Sequence, residues 1–146
     1  MYLDTGILVK LLTSELESAF FERALLGHSL AASELVLVEV KSALFAKERG
    51  GLITAAQRGK AETKFHGMIT DQILSLHDLD NRTLRKATQI IHSCHPKVPL
   101  RALDALHVAA CDLAQEFPLC TTDARMHAAA RLMHIPVFPE NLPLKT

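Results

Sequence analysis

Aromatic residues are scarce: they make up 5% of the 146 residues, with no Trp and a single Tyr. This argues against a broad platform for stacking nucleic-acid bases. The three cysteines, Cys94, Cys111 and Cys120, form no CxxC pair and are odd in number, which suits small core residues better than a disulfide framework. Neither sign of charge dominates, since 16 Lys and Arg balance 16 Asp and Glu, and this excludes an overall basic field. No apolar run approaches the roughly 20 residues needed to span a bilayer, and Met1-Tyr2-Leu3-Asp4 lacks the basic opening of a signal peptide. A soluble, cytoplasmic protein without membrane contact is the expectation. At 49% hydrophobic and 22% charged, the chain has the composition of a single globular domain over 1–146 that needs no staple.

Punctuation along the chain predicts alternating short strands and helices. Residues 1–4 read as a strand, with a turn at Gly6 leading into apolar helix 7–12. Ser14 and Glu17 have capping-box spacing and open a helix over 15–26 that stops at Gly27. After the short apolar stretch 28–32, Ser33 caps a helix running to Arg49. A strand over 35–40 is the alternative there, but the apolar pattern continues through Ala43, Leu44 and Ala46 without a turn signal. Thr54 and Gln57 repeat the capping box for a polar helix to about Met68. Ile73 to Leu76 reads as a strand, and Asp80 caps a helix to about Ser93. The two prolines of 95–99 make a loop. Helix 101–115, buried strand 119–121, a helix from Asp123 to about Met133 and a proline-bearing edge strand 135–138 complete the pattern. Crossover connections of this kind imply a parallel sheet covered on both faces. Residues 139–146 form a short C-terminal tail, expected to be loose and free to lie on a neighbour.

Four acids stand where an ordinary core would be apolar or where open α/β sheets place their sites. Asp4 and Asp123 follow strands, whereas Glu39 and Asp104 sit within apolar helical surroundings. Each alone has an ordinary reading: Asp123 as a helix cap, Glu39 paired with Lys41 or Arg49, Asp104 with Arg101. Together they suggest a shared cation, because an unpaired buried carboxylate would rather protonate, and oxygen ligands favour Mg²⁺ or Mn²⁺.

The segments Leu3-Asp4-Thr5, Glu39-Val40-Lys41-Ser42-Ala43-Leu44, Leu103-Asp104-Ala105-Leu106-His107-Val108-Ala109 and Thr121-Thr122-Asp123 resemble, in that order, the PIN-domain family and especially its VapC-type toxins. The resemblance implies a three-layer α/β/α domain whose central, mostly parallel, twisted sheet has four to five short strands. It implies a Mg²⁺- or Mn²⁺-dependent endoribonuclease, with Asp4, Glu39, Asp104 and Asp123 as catalytic and metal-binding acids and Thr121 as the accompanying hydroxyl. Asp4 and Asp104 would be central ligands, Glu39 a ligand or the base for water, and Asp123 a ligand of a second or weaker ion. It also implies RNA as substrate, a cognate antitoxin as partner and a homodimer. Gly6 departs from the serine or asparagine of many relatives. The competing readings are a non-catalytic binding module of the same fold and a DNA-directed nuclease. A haloacid dehalogenase-type phosphatase is disfavoured because Asp4-Thr5-Gly6 lacks a second aspartate.

Other features have plainer explanations. His92-Ser93-Cys94-His95 matches no zinc-site spacing. His107 shares a helical face with Asp104 but is expected to be a packed or hydrogen-bonded core histidine. Two basic stretches, Lys41, Lys47, Arg49, Arg58, Lys60 and Lys64, then Arg82, Arg85, Lys86, Lys97 and Arg101, are candidates to hold phosphates, with solvated helix faces as the alternative. The helices around Leu16, Phe20, Phe21 and Leu25 offer apolar surface for either the core or a partner helix.

Overall fold

The structure, a computed structural model, describes residues 1–142. Strand β1 (Tyr2–Leu3) leads into α1 (Thr5–Leu12) and α2 (Ser18–Leu25), and β2 (Leu30–Ser33) into α3 (Val36–Arg49) and α4 (Ala55–Thr70). Then follow β3 (Leu74–His77), α5 (Asn81–Cys94), α6 (Ala102–Ala114), β4 (Leu119–Cys120), α7 (Ala124–Leu132) and β5 (Val137–Phe138). The five strands are parallel in the order β3-β2-β1-β4-β5. This is the expected α/β/α architecture. Consecutive side chains on a strand point to opposite faces, so Leu3 and Cys120 join the core under α1–α4 while Tyr2 and Leu119 join the one under α5–α7.

The sheet places the site. From β1 the chain moves outward through β2 to β3, then crosses back to β4 on the other side of β1 and on to β5. The carboxyl ends of β1 and β4 therefore flank a point where the winding reverses, the crevice in which open α/β sheets bind ligands. Asp4 leaves β1 there, its N–H bonded to the Cys120 carbonyl at 3.2 Å, and Thr121 to Asp123 leave β4 beside it.

Several expected boundaries hold for the expected reason. Thr54 and Gln57 form the reciprocal capping box of α4, and Asp80 caps α5 through the Thr83 N–H. Gly27 has φ +78°, the left-handed conformation that a chain leaving a helix needs and that glycine adopts without strain. The strand containing Val137 and Phe138 lies at a sheet edge, as its proline neighbours require.

Others do not. The helix expected over 15–26 begins only at Ser18, because the Ser14–Glu17 box does not form. Glu17 is drawn instead to Lys10 Nζ at 2.7 Å, and the Ser18 hydroxyl accepts from the Glu15 N–H and donates to the Lys10 carbonyl. Residues 30–33, expected only as an apolar stretch, form a central strand. Its Ala-Ala core has weak intrinsic β preference and is held by pairing on both sides with β1 and β3. Ser33 ends that strand, and α3 starts three residues later. The tail expected to be loose is pinned at its start: His127 Nε2 hydrogen-bonds the Pro139 carbonyl and Arg131 donates to that of Glu140. Its residues 143–146 lie outside the described residues.

The apolar surface of 7–12 and 15–26 goes mostly into the core. Ile7, Leu8, Phe21 and Leu25 are buried, and Phe20 stacks on Phe138, leaving Leu16 fully exposed. The three cysteines are buried and unpaired. No helix among the described residues is long and apolar enough to cross a membrane.

Candidate active site

Asp4 is the innermost acid, 2% exposed. Following a strand and preceding a helix, it acts as N-cap of α1, its Oδ1 accepting the Ile7 N–H at 2.7 Å. Its Oδ2 accepts the hydroxyl hydrogen of fully buried Thr121, whose Oγ1 in turn accepts the Asp123 N–H at 3.0 Å. One threonine thus ties the acid after β1 to the loop after β4. Asp123 caps α7 with Oδ1, accepting from the Arg125 and Met126 amides at 2.8 and 3.0 Å. Asp123 thus meets its ordinary cap reading, and no hydrogen bond among the described residues engages its Oδ2.

Asp104 lies in the first turn of α6, and its Oδ2 is buried without a hydrogen-bond partner. Burial holds the Asp104 carboxyl above the usual aspartate range, and the nearby negative charge of Asp123 adds to the rise. Asp4 is raised by burial as well, with the Thr121 and Ile7 hydrogen bonds acting against the rise and Asp123 adding to it. Asp123 is therefore the acid whose field reaches both others. Gly6 borders this group, and a Cβ there would sit 3.3 Å from Asp4 Oδ1. A serine at this position would crowd the carboxylate.

Glu39 is set apart from these three. Its Oε2 accepts from Thr5 Oγ1 and from His107 Nε2 at 2.7 Å, not from Lys41 or Arg49 as its ordinary reading would have it. Burial raises the Glu39 carboxyl, but the hydrogen bonds from His107 and Thr5 outweigh it and leave the group below the usual glutamate range. Lys41 goes to Glu62 instead, at 2.6 Å. His107, 2% exposed, is the hydrogen-bonded core histidine that was expected, and it also touches the site through Glu39. Thr5 and Tyr2 were not singled out. The one signal for Tyr2 is that the chain's only tyrosine stands in the first strand, two residues before Asp4.

The shifts carry a pH prediction. A carboxyl raised in the folded state contributes stability while protonated, and that contribution is lost as pH rises through its folded value. For Asp4 and Asp104 the loss begins at the ordinary 3.8 and continues upward. Glu39 has the opposite sign: its contribution is complete above the ordinary 4.5 and lost in acid. In chelator, the two aspartates are thus expected to depress the thermal midpoint from about pH 4 toward neutrality, and Asp104→Asn to flatten part of that slope when midpoints are measured across the range. An unchanged slope in the variant would contradict the shift assigned to Asp104.

Among the described residues, no three His, Cys, Asp or Glu side chains converge as they stand closely enough to hold a metal ion. The donor chemistry nevertheless suits one. Asp123 acts electrostatically on both Asp4 and Asp104, and Asp104 has a buried oxygen lacking any partner among the described residues, so the three form an all-oxygen set whose repulsion a hard divalent cation would neutralise. The zinc-like His92-Cys94-His95 run gains no support, with Cys94, the last residue of α5, buried in the core.

The basic stretches are largely consumed by pairing. Lys41, Lys47 and Arg58 bind Glu62, Glu15 and the Glu48–Glu62 pair, whereas Arg49 and Lys60 pair with no acid among the described residues. The second stretch is divided. Arg82 borders a hollow with Ala110 and Ala114, and Lys86 binds Asp112 at 2.7 Å, at the far end of α6 from Arg101, which precedes the helix three residues before Asp104.

A sequence model of the PIN domain matches residues 1–132. Among solved structures, the chain is similar to one described as a toxin–antitoxin complex from Klebsiella pneumoniae, with 15% identity over 97% of this chain and 98% of that one and a TM-score of 0.65. It is similar to FitAcB from Neisseria gonorrhoeae, with 16% identity over 94% and 95% and a TM-score of 0.65. It is also similar to VapBC2 from Rickettsia felis, solved with a DNA fragment from the promoter, with 16% identity over 93% and 95% and a TM-score of 0.66. No curated protein matches the sequence.

Proposed function

Because the chain belongs to the PIN-domain family, a family of nucleases, we propose that it is a Mg²⁺- or Mn²⁺-dependent endoribonuclease, the toxin of a toxin–antitoxin pair. The observation that carries the reading is the grouping of Asp4, Asp104 and Asp123 at the sheet's reversal point, with Asp104 Oδ2 unpartnered. The toxin role draws support from the similar folds, one of which is described as a toxin–antitoxin complex. The partner is then a cognate antitoxin, and the homodimer and cytoplasmic location belong to the same proposal.

In this reading Asp4, Asp104 and Asp123 hold the cation. When bound, it supplies charge neutralisation to a phosphodiester and makes water a better nucleophile at neutral pH. The protein's own residues fix the geometry. The Ile7 amide and the Thr121 hydroxyl hold Asp4 rigidly, and the amide hydrogen bonds of α7 hold Asp123. Glu39 stays ionised through the donors on Oε2, and its Oε1, which takes no hydrogen bond among the described residues, accepts the proton of the attacking water as the 3′ oxygen leaves. Arg101, beside Asp104 and paired with no acid among the described residues, offers a phosphate contact.

Paired RNA and DNA oligomers of one sequence, incubated with purified protein in Mn²⁺ or in chelator, test the reading. RNA cut only with metal and DNA left intact is expected, because the 2′-OH distinguishes the two polymers. DNA cleavage would favour the DNA-directed alternative, and inertness toward a mixed structured RNA pool, without acid-dependent Mn²⁺ uptake, would favour the binding module.

A further inference from the structure

Glu39 is held by a buried chain of hydrogen bonds that begins two elements away. The Ser33 N–H donates to the Tyr2 hydroxyl at 3.1 Å, the Tyr2 hydroxyl lies 3.0 Å from His107 Nδ1, and His107 Nε2 lies 2.7 Å from Glu39 Oε2. Tyr2 is fully buried and His107 nearly so, and their rings meet edge to face at 72° with centroids 5.9 Å apart. Donor counting assigns the hydrogens. A phenol has one hydrogen to give, its oxygen already accepts from Ser33, and His107 Nδ1 is the acceptor the structure offers it. Nδ1 is then the acceptor, Nε2 carries the ring hydrogen, and that hydrogen points at Glu39.

We propose that Tyr2 and His107 are positioning residues for the reaction: Tyr2 fixes the Nε2–H tautomer of His107, and His107 fixes Glu39 with Oε2 engaged and Oε1 free for water. The kinetic part rests on the ribonuclease reading above; the tautomer and the placement of Glu39 do not. Three features separate this from ordinary packing. The chain ends on the one acid of the four that two side-chain donors engage at a single oxygen. Its far end is anchored in backbone, at the β2 amide of Ser33, so the imidazole is fixed independently of any substrate. Thr5, next to Asp4 in the chain, donates to the same Oε2, so Glu39 is referenced to the aspartate cluster as well as to β2. Support of this kind behind a functional carboxylate, when removed, typically lowers activity by about 10–100-fold.

Two measurements on the full chain test the proposal. The first needs no activity: the imidazole ¹⁵N spectrum of uniformly labelled protein is expected to show His107 as the Nε2–H tautomer, losing that single form in Tyr2→Phe. An Nδ1–H tautomer in the unaltered protein, or a tautomer indifferent to Tyr2→Phe, overturns the proposal whether or not the protein cuts RNA. The second is steady-state cleavage of an RNA cut by the unaltered protein in Mn²⁺. His107→Leu is expected to lower kcat by about 10–100-fold with little change in KM, and His107→Gln, which can still present an N–H toward Glu39, to recover most of it. Thermal midpoints of both variants keep a folding defect distinct from a positioning one. Equal kcat in folded His107→Leu and unaltered protein, or equal losses in Leu and Gln variants of matched stability, would overturn the positioning role while leaving the nuclease intact. Absence of cleavage by the unaltered protein would instead count against the ribonuclease reading, with the tautomer still deciding this one.

Discussion

Replacing Asp104 with asparagine is expected to abolish metal-dependent cleavage and at the same time to stabilise the metal-free fold. Both effects have the same source. Asp104 Oδ2 is buried without a partner, and burial together with the charge of Asp123 raises the carboxyl. Without a cation the charge is a liability, so its removal is expected to raise stability by up to about 1 kcal/mol, a figure kept small because the side chain is half open to water. With a cation the charge is what holds it, so cleavage is expected to fall by about a thousandfold, the order seen when one preorganised charge is removed from a reacting centre. Melting in chelator and cleavage in Mn²⁺, measured on the same preparation, check the pair. A variant that is destabilised and still active would show Asp104 to be a structural residue. Opposed signs are the mark of a site whose residues are retained at a cost to the fold.

Thr121→Val is expected to be the most damaging near-isosteric change in the site. Valine matches threonine in shape but removes a hydroxyl that donates to Asp4 Oδ2 and accepts the Asp123 N–H, both in a fully buried setting. Two polar groups lose their partner at once, which costs about 2–4 kcal/mol and lowers the thermal midpoint by roughly 6–12 °C for a chain of this size. The change also removes one of the hydrogen bonds that oppose the rise of the Asp4 carboxyl, so the carboxyl is pushed further up as the geometry is lost. Thr121→Ser keeps the hydroxyl and gives up one methyl, at about 1 kcal/mol, and is expected to remain active. Equal stability of the valine and serine variants would show that the hydroxyl bridge contributes nothing.

Much of this arrangement was legible in the sequence because its signals are local. Asp4, Thr54, Asp80 and Asp123 each precede a helix and each accept the amides that a helix start leaves unbonded, so element order and most boundaries follow from the residues themselves. The placement of Asp4 and Asp123 after adjacent parallel strands followed from topology rules that need no coordinates. What was not legible depends on distant partners. Ala31 and Ala32 carry little strand preference and become a strand because two neighbours pair with them. Glu17 could cap its own helix by spacing, but Lys10, a turn of chain away, holds it more strongly. The ordinary reading of Glu39 paired it with a lysine or arginine close in sequence, but it meets His107, 68 residues on, because α3 and α6 approach each other only in the folded chain. The first basic stretch is mostly neutralised by glutamates, some of them distant in sequence, as its alternative reading allowed, whereas Arg101 of the second pairs with no acid among the described residues.

The most direct test of the central claim is a calorimetric titration of Mn²⁺ into the unaltered chain and into Asp104→Asn at neutral pH. If Asp4, Asp104 and Asp123 are the cation site, the unaltered chain takes up Mn²⁺ saturably, while the variant shows little uptake. Uptake of the same affinity by both proteins, or none by the unaltered chain, would contradict it.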